Sequence, residues 1–286
     1  MSHGDTVAPS NHWSLQPVRA ATPPDLEDAW IRGPIDAFVL DRLRAERLVP
    51  SPDATPRTLI RRVTLDMLGI PPTPEEVELF LADTKISGSD AATERLIDRV
   101  LASPRYGERW AQHWLDVVRF AESSGYEINQ WLKNAWPYRD YVIRALNEDR
   151  SYDRFIFEQI AGDQCAEDAA TGFLVAGPYD RVLNQAPAFK LAQRQDELDE
   201  IIKATGATFL GMTIECARCH EHKFDPLTQR DYYAMQAVFA GVRYKERRLR
   251  GTENDRWQAQ LPELDAKMTP LRARLETLRA RHGLRS

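Results

Sequence analysis

The sequence lacks several features that would assign it to a familiar class of protein. No apolar run approaches the roughly 18 residues of a membrane-spanning helix. The net charge of −5 gives a nucleic-acid partner no electrostatic support. Three cysteines are too few for a disulfide framework. Because no alternating apolar and polar pattern indicates a β-strand, the sequence predicts an all-α fold of irregular helices.

The N-terminus also lacks the features of a secretory signal peptide. The first five residues, Met-Ser-His-Gly-Asp, contain neither a basic region nor an apolar core. Residues 1–30 are rich in proline and predict an extended arm with Trp13 as its anchor. The alternative for this segment is a partly disordered leader.

One short motif stands out, Cys216-Ala217-Arg218-Cys219-His220. Two cysteines separated by two residues and followed at once by histidine are the attachment signature of a c-type haem. The thiols would add to the two vinyl groups on one edge of the porphyrin, and the imidazole would be the proximal iron ligand. The motif therefore predicts a covalent haem c held by Cys216, Cys219 and His220.

Two other interpretations of these residues stay open. Zinc needs four nitrogen or sulfur ligands, which Cys216, Cys219, either His220 or His222, and Cys165 would have to supply. A disulfide between Cys216 and Cys219 is the other alternative, although it would close a very short loop. Since the sequence contains no second C-x-x-C pair, haem is the preferred interpretation.

A helix predicted from about Tyr106 to Ala121 offers a second iron ligand. Its inward stripe is expected to consist of Tyr106, Trp110, His113, Trp114, Val117 and Ala121. His113 would then be buried between two indoles, either as a core histidine bonded to a backbone carbonyl or as an iron ligand. Met212 and Met235 are the other candidates, but Met212 lies only four residues before the motif and is disfavoured.

Several arginines are candidate partners for the haem propionates, because a guanidinium pairs with a carboxylate through two hydrogen bonds. The candidates are Arg119, Arg139 and Arg154. Ordinary surface pairing with Glu122, Asp140 or Asp153 is the alternative.

His222 and Asp225 are three residues apart and could share a face of the chain. They could bind a haem propionate, hold a second metal, or serve as acid and base. The alternative is a polar turn that ends at Pro226.

The sequence divides into three parts: the arm at 1–30, a helical haem-binding domain at 31–245 and a helical segment at 252–286. Within the domain, residues 163–190 predict a long loop with turns. The last segment carries apolar residues in steps of four and three, which indicate a heptad seam. Pro262 and Pro270 argue against one uninterrupted helix. The segment would pack on its own domain, form a stalk to a missing domain, or provide a homodimer seam.

Several separate blocks of sequence resemble one known family. They are Tyr106–Trp110, His113–Asp116, Arg119–Ser123, Trp136–Asp140, Glu158–Asp163 and Cys216–Pro226. Together they resemble the planctomycete-type domain of unknown function found in large exported proteins with cytochrome c-like modules. The resemblance implies an association with haem or cytochromes, a second C-terminal domain of unknown function, and carbohydrate-binding modules as neighbours.

These observations favour a c-type haem redox module of an exported multidomain protein. It would pass electrons to or from a partner oxidoreductase, and the family context suggests polysaccharide metabolism. One alternative is a haem enzyme with an open iron position lined by Tyr126, His113 and Glu122. The other is a zinc-stapled structural or carbohydrate-interaction domain. Covalent haem attachment belongs to oxidising compartments, so a periplasmic or exported location is expected.

Overall fold

A computed structural model describes residues 16–182, 186–250 and 252–282. These residues are predominantly helical and form no strand, apart from an isolated bridge between Ser123 and Trp131, which confirms the predicted all-α fold. None of the helices within those ranges combines the length and the apolar character that crossing a membrane requires. Trp13 lies outside the described residues.

The α-helices are α1 (Pro34–Ala45), α2 (Pro56–Leu68), α3 (Pro74–Ser87), α4 (Ser89–Leu101), α5 (Pro104–Val117), α6 (Trp136–Asn147), α7 (Tyr152–Ala161), α8 (Pro187–Thr205), α9 (Gln229–Phe239) and α10 (Thr252–His282).

Threonine and proline residues mark the starts of α2 and α3. The hydroxyl of Thr55 accepts a hydrogen bond from the backbone N–H of Thr58 at 3.3 Å, directly before Pro56. Thr73 and Glu76 form a capping box, in which each side chain accepts a hydrogen bond from the backbone N–H of the other. These bonds satisfy N–H groups that have no partner inside the helix.

The first of two compact units contains the described residues up to Ser103 together with His222–Pro226. Its core is built by α2, α3 and α4, which bury a small set of apolar side chains. These are Ile60, Val77, Phe80, Ala92, Leu96 and Val100. Full burial of one large apolar side chain contributes about 1.5–3 kcal/mol, so this core stabilises its own unit.

The second unit contains the described residues of Pro104–Glu221 and Leu227–Ser286. Its core is rich in aromatic side chains, among them Tyr138, Tyr141, Phe155, Phe173 and Tyr232. Helices α5 and α6 pack closely at Gly107, where an added Cβ would lie 2.5 Å from the carbonyl oxygen of Ile143. A glycine is therefore needed at this crossing.

A buried carboxylate joins α6 and α7 in the second unit. Glu158 is 2% exposed. Its oxygens accept hydrogen bonds from the hydroxyl of Tyr141 at 2.8 Å, from Arg150 at 2.6 Å and from Arg154 at 2.7 Å. Burial alone would raise the pKa of Glu158, but the hydrogen bonds from these arginines outweigh it and hold the pKa below its ordinary value. Glu158 is therefore ionised at neutral pH.

The structure corrects the prediction of a long loop over residues 163–190. Two 3₁₀ turns, Gly162–Gln164 and Asp168–Val175, lie at its start, and α8 begins at Pro187. Phe173 and Leu174 are buried in the core and hold the second turn in place. A 3₁₀ turn repeats every three residues and is short, so an α-helical spacing does not reveal it.

The C-terminal segment forms a single helix, α10, which corrects the prediction that Pro262 and Pro270 interrupt it. Each proline removes one backbone hydrogen bond, but the surrounding leucine, alanine, glutamate and arginine residues favour a helix. Nearly all of its described side chains are exposed. The proposed domain limits at 31–245 and 252–286 stay predictions.

Candidate functional site

The cysteine motif begins in a short 3₁₀ turn, Ile214–Arg218. In such a turn, side chains three residues apart point in the same direction. Ile214 and Ala217 are 4% and 0% exposed and belong to the core, whereas Cys216 and Cys219 are exposed and carry free thiols. The turn therefore has a buried face, and Cys216 in the turn and Cys219 directly after it are both exposed at the surface.

The region after α8 makes room for this turn at Gly206. An added Cβ at Gly206 would lie 2.7 Å from the side chain of Ile214 and 3.1 Å from the carbonyl oxygen of Met212. Contacts this short would displace their neighbours. The absence of a side chain at Gly206 thus allows Ile214, at the start of the turn that leads into the motif, to pack against the end of α8.

Arg218 ties the turn to two helices. Its guanidinium donates a hydrogen bond to Asp196 of α8 at 2.9 Å and lies 3.5 Å from Asp199. Its carbonyl oxygen accepts hydrogen bonds from the side chains of Gln229 and Tyr233 on α9, both at 3.1 Å. Arg218, one of the two residues between the cysteines, is therefore fixed through both its side-chain and its backbone atoms.

Asp199 also accepts a hydrogen bond from the hydroxyl of buried Tyr232, at 2.5 Å. Burial, and then the bond to Asp199, raises the pKa of Tyr232, so this hydroxyl stays protonated and continues to donate. For Arg218, burial opposes ionisation, but the hydrogen bond to Asp196 and the charge of Asp199 raise its pKa. Arg218 therefore stays charged and Tyr232 stays protonated around neutral pH, so both continue to donate their hydrogen bonds.

His220 follows the second cysteine and is exposed. Its Nδ1 lies 2.7 Å from the carbonyl oxygen of Glu221. A carbonyl can only accept a hydrogen bond, so Nδ1 carries the proton and the neutral ring keeps its lone pair on Nε2. A backbone carbonyl on one ring nitrogen is a common way to orient a histidine that binds a metal through the other.

His222 lies in a turn of the first unit, and its side chain is 4% exposed. Its Nδ1 accepts hydrogen bonds from the backbone N–H groups of Phe224 at 3.2 Å and Asp225 at 2.8 Å. The lone pair of Nδ1 is therefore already used. This arrangement matches the polar turn that was the alternative to a ligand role.

The structure corrects the expectation that His113 is buried, because its side chain is exposed. The buried face of α5 runs through Gly107 and Ala111, and His113 contacts the ring of Trp110 at its edge, with ring centroids 5.6 Å apart. This face is hard to recognise in the sequence because its residues are small, whereas the large apolar residues of α5 form a different stripe. Helix α5 packs mainly on α6, whereas the motif turn packs on α8 and α9.

The candidate propionate partners already have acidic neighbours. Arg119 forms an ion pair with Glu200. Arg139 contacts Glu122 at 2.8 Å and Asp140 at 3.1 Å. The remaining candidate, Arg154, belongs to the buried Glu158 cluster described above. A propionate at any of these guanidinium groups would have to compete with a carboxylate of the chain.

Zinc ligation would need Cys165 near the motif. Cys165 instead follows the first 3₁₀ turn after α7, and its thiol donates to the carbonyl oxygen of Gly162 at 3.3 Å. Within the described ranges, no three or more histidine, cysteine, aspartate or glutamate side chains are grouped so that they could hold a metal ion. The geometry of those residues therefore gives the zinc alternative no support.

Sequence reasoning missed a groove in the second unit. It has a volume of about 1050 Å³, and the residues that line it include aromatic and basic side chains but none of Cys216, Cys219 and His220. Trp136, Tyr179 and Tyr244 are among the aromatic ones, and Arg181, Lys245 and Arg248 among the basic ones. The basic run from Arg243 to Arg250 is the feature of the sequence that could have indicated this surface.

One buried aspartate fixes the wall of this groove. The side chain of Asp168 is 1% exposed and accepts hydrogen bonds from Arg247 at 3.1 Å and Arg250 at 2.6 Å. The hydrogen bond from Arg250 holds the pKa of Asp168 below its ordinary value against the opposing effect of burial. The segment between Phe239 and α10 is therefore pinned to the 3₁₀ turn that begins at Asp168.

Comparison with known protein families gives a match over most of the chain. A family model described as PSCyt2, a protein of unknown function (DUF1549), matches residues 34–244. This range contains α1 to α9 and the cysteine motif, but not α10. No curated protein and no solved structure matches the chain.

Proposed function

The chain belongs to the PSCyt2 family of proteins of unknown function, and from this premise we propose that it is a c-type haem redox module. Membership confirms the resemblance to a domain of unknown function. One observation carries the proposal: Cys216 and Cys219, at the end of one short turn, are both free and exposed cysteines. The name of the family, which points to cytochromes, agrees with this assignment.

The residues of the motif fit the attachment of a haem. Each thiol would add across one vinyl group, so that sulfur bonds to one carbon, the hydrogen goes to the other carbon, and nothing leaves. His220 would ligate the iron through Nε2, because Nδ1 donates to the carbonyl oxygen of Glu221. The bound haem would supply a one-electron change at iron, and Arg218 would keep the sulfurs in position.

The exposed position of the motif supports electron exchange with a partner oxidoreductase. Cys216, Cys219 and His220 all lie at the surface. Attachment of a haem c requires thiols and a maturation machinery found in exported compartments, so a periplasmic location is part of the proposal. A role in polysaccharide metabolism rests on the family context alone.

The decisive experiment is maturation of the chain in a periplasm that contains haem-attachment machinery. We expect a Soret band that acid acetone does not extract, with a mass increase of one haem. Cys216→Ala and Cys219→Ala should each lack stable covalent haem, whereas the matched variant Cys165→Ala should retain it. Wild-type protein that is folded by circular dichroism but colourless would contradict the proposal.

Histidine variants then identify the iron ligand. His220→Ala should keep the covalent link and change the absorption spectrum of the haem, since the proximal nitrogen is removed. His113→Ala should leave the spectrum unchanged, because His113 is exposed on a helix that packs mainly on α6. A changed spectrum in His113→Ala would instead make this residue the sixth ligand.

A further inference from the structure

Helix α10 carries an uncovered heptad seam. Its members are Trp257, Leu261, Leu264, Met268, Leu271, Leu275 and Leu278, with exposures between 41% and 59%. The alternating steps of four and three place Leu261, Met268 and Leu275 at position a, and the other four at position d. Such a seam is complementary to another helix with the same repeat.

The flanks of this seam are basic. Positions e and g border the seam and decide which partner a coiled coil accepts. They are occupied by Lys267, Arg272, Arg274, Arg279 and Arg281, with Asp265 as the acidic exception and glutamines at the first turn. Pro262 and Pro270 fall at positions b and c, so neither the seam nor its flanks contain a proline. Charge complementarity therefore favours a partner with acidic flanks.

The acidic side chains of α10 itself do not neutralise these flanks strongly. Glu263 pairs with Lys267 at 2.6 Å, and Glu276 pairs with Arg279 at 3.0 Å. The four side chains are between 39% and 70% exposed. Exposed pairs of this kind contribute about 0.3–0.5 kcal/mol, so a partner carboxylate can replace them.

A second copy of the chain in parallel orientation fits this seam poorly. In a parallel pair, position g of one helix meets position e of the next heptad in the other helix. Lys267 would then face Arg272 of the second copy, and Arg274 would face Arg279. Each of these contacts would occur twice and place like charges opposite one another, which opposes parallel self-association.

A membrane surface also fits less well than a helix. Helices that lie on membranes have a wide apolar face opposite a strongly polar one. The stripe on α10 is confined to positions a and d, which is the narrow seam of a coiled coil.

We propose that α10 binds a helix of another polypeptide that has an apolar heptad seam and glutamate or aspartate at its e and g positions. The seam would provide the affinity, and the charges of the flanks would select the partner. This inference does not depend on the proposed haem.

Synthetic peptides test the proposal with the whole chain. The probe is a four-heptad peptide with leucine at a and d and glutamate at e and g, and its control has lysine at e and g. We expect a one-to-one complex with the glutamate peptide by light scattering and isothermal titration, weakened by salt. The lysine peptide should not bind.

Variants separate the seam from the flanks. Leu264→Asn with Leu271→Asn should abolish binding of the glutamate peptide. Arg272→Glu with Arg274→Glu should weaken it on the order of 10-fold, whereas Glu276→Gln at position b should leave it unchanged. Self-association of the unmodified chain without peptide binding would overturn the proposal in favour of a second copy. Binding to anionic phospholipid vesicles in place of the peptide would overturn it in favour of a membrane surface.

Discussion

Individual residues of the cysteine motif have distinct structural environments. Ala217 is packed in the core, Arg218 is bonded to two helices, and Cys216, Cys219 and His220 face outward. The sequence identified the residue types that haem attachment requires. It could not show that the turn is a 3₁₀ turn with two opposite faces, because this depends on the packing of Ala217.

Glu158→Gln should strongly destabilise the second unit. The substitution removes the charge of a carboxylate that is 2% exposed and leaves Arg150 and Arg154 without their shared partner. Breaking a buried ion pair costs on the order of 3 kcal/mol, measurable as a lower free energy of unfolding in urea at pH 7. The matched control is Glu263→Gln, whose exposed pair with Lys267 should contribute little.

The same carboxylate gives a pH dependence with a definite sign. The pKa of Glu158 is lowered from 4.5 in the folded chain, so its stabilising contribution is present above pH 4.5 and is lost as the pH falls below it. Glu158→Gln should therefore show a weaker loss of stability in acid than the wild-type chain. Equal acid sensitivity in both proteins would contradict this assignment.

The sequence could not predict ion pairs between residues that are far apart in the chain. Arg119 pairs with Glu200, 81 positions further along the chain. The sequence identified Arg119 as a candidate binding residue, but only the fold determines which carboxylate lies beside it. The arginines that looked available for a ligand are consequently engaged within the chain.

At the scale of helices, the most reliable sequence patterns are those whose residues lie within one turn of each other. The capping box of Thr73 and Glu76 follows from residue types that lie within one turn of each other, without any distant partner. The buried face of α5 was predicted incorrectly, because Gly107 and Ala111 are small. They allow α5 to approach α6 closely but add little apolar surface to the pattern in the sequence. Pro262 and Pro270 were given too much weight against the helix formers around them.

Gly206→Ala should disturb the motif turn. Its new Cβ would lie 2.7 Å from the side chain of Ile214, which holds the turn to the core. Overpacking of this kind costs about 1–3 kcal/mol, and we expect a lower free energy of unfolding together with less haem attached per chain. Gly241→Ala is the matched control, since no atom lies within 4 Å of its added Cβ.

An unchanged yield of covalent haem in Gly206→Ala, alongside reduced stability, would show that the position of Ile214 does not control the sulfurs. Unchanged stability would show that the neighbouring side chain adapts without cost. The two measurements therefore distinguish a role in folding from a role in presenting the motif.

For the whole molecule, the division into two units was not evident from sequence. A helical haem-binding domain was predicted over 31–245, and its limits stay a prediction. Within the described residues, two compact units each have a core of their own. The first core is mainly aliphatic and the second is rich in aromatic side chains, a change in composition that the sequence analysis did not use as a boundary. The class of fold was predictable because every long apolar repeat had helical spacing.

Matched core variants test this division. Leu96→Ala in the first unit and Ile202→Ala in the second each remove a fully buried side chain. Each should lower stability by about 2–5 kcal/mol, but in different transitions of a calorimetric scan. Only Ile202→Ala should also reduce haem attachment, because α8 supports the motif turn. A single transition shifted equally by both variants would contradict two separately stabilised cores.

The outward direction of both sulfurs has a practical consequence for mutagenesis. Positions 216 and 219 can be varied widely while the interior stays intact, so a library at these positions would report on reactivity alone. A library at position 217, which is 0% exposed, would report on folding. Residues 216–220 thus combine surface positions that govern reactivity with a buried position that governs folding, and the two libraries would measure each property separately.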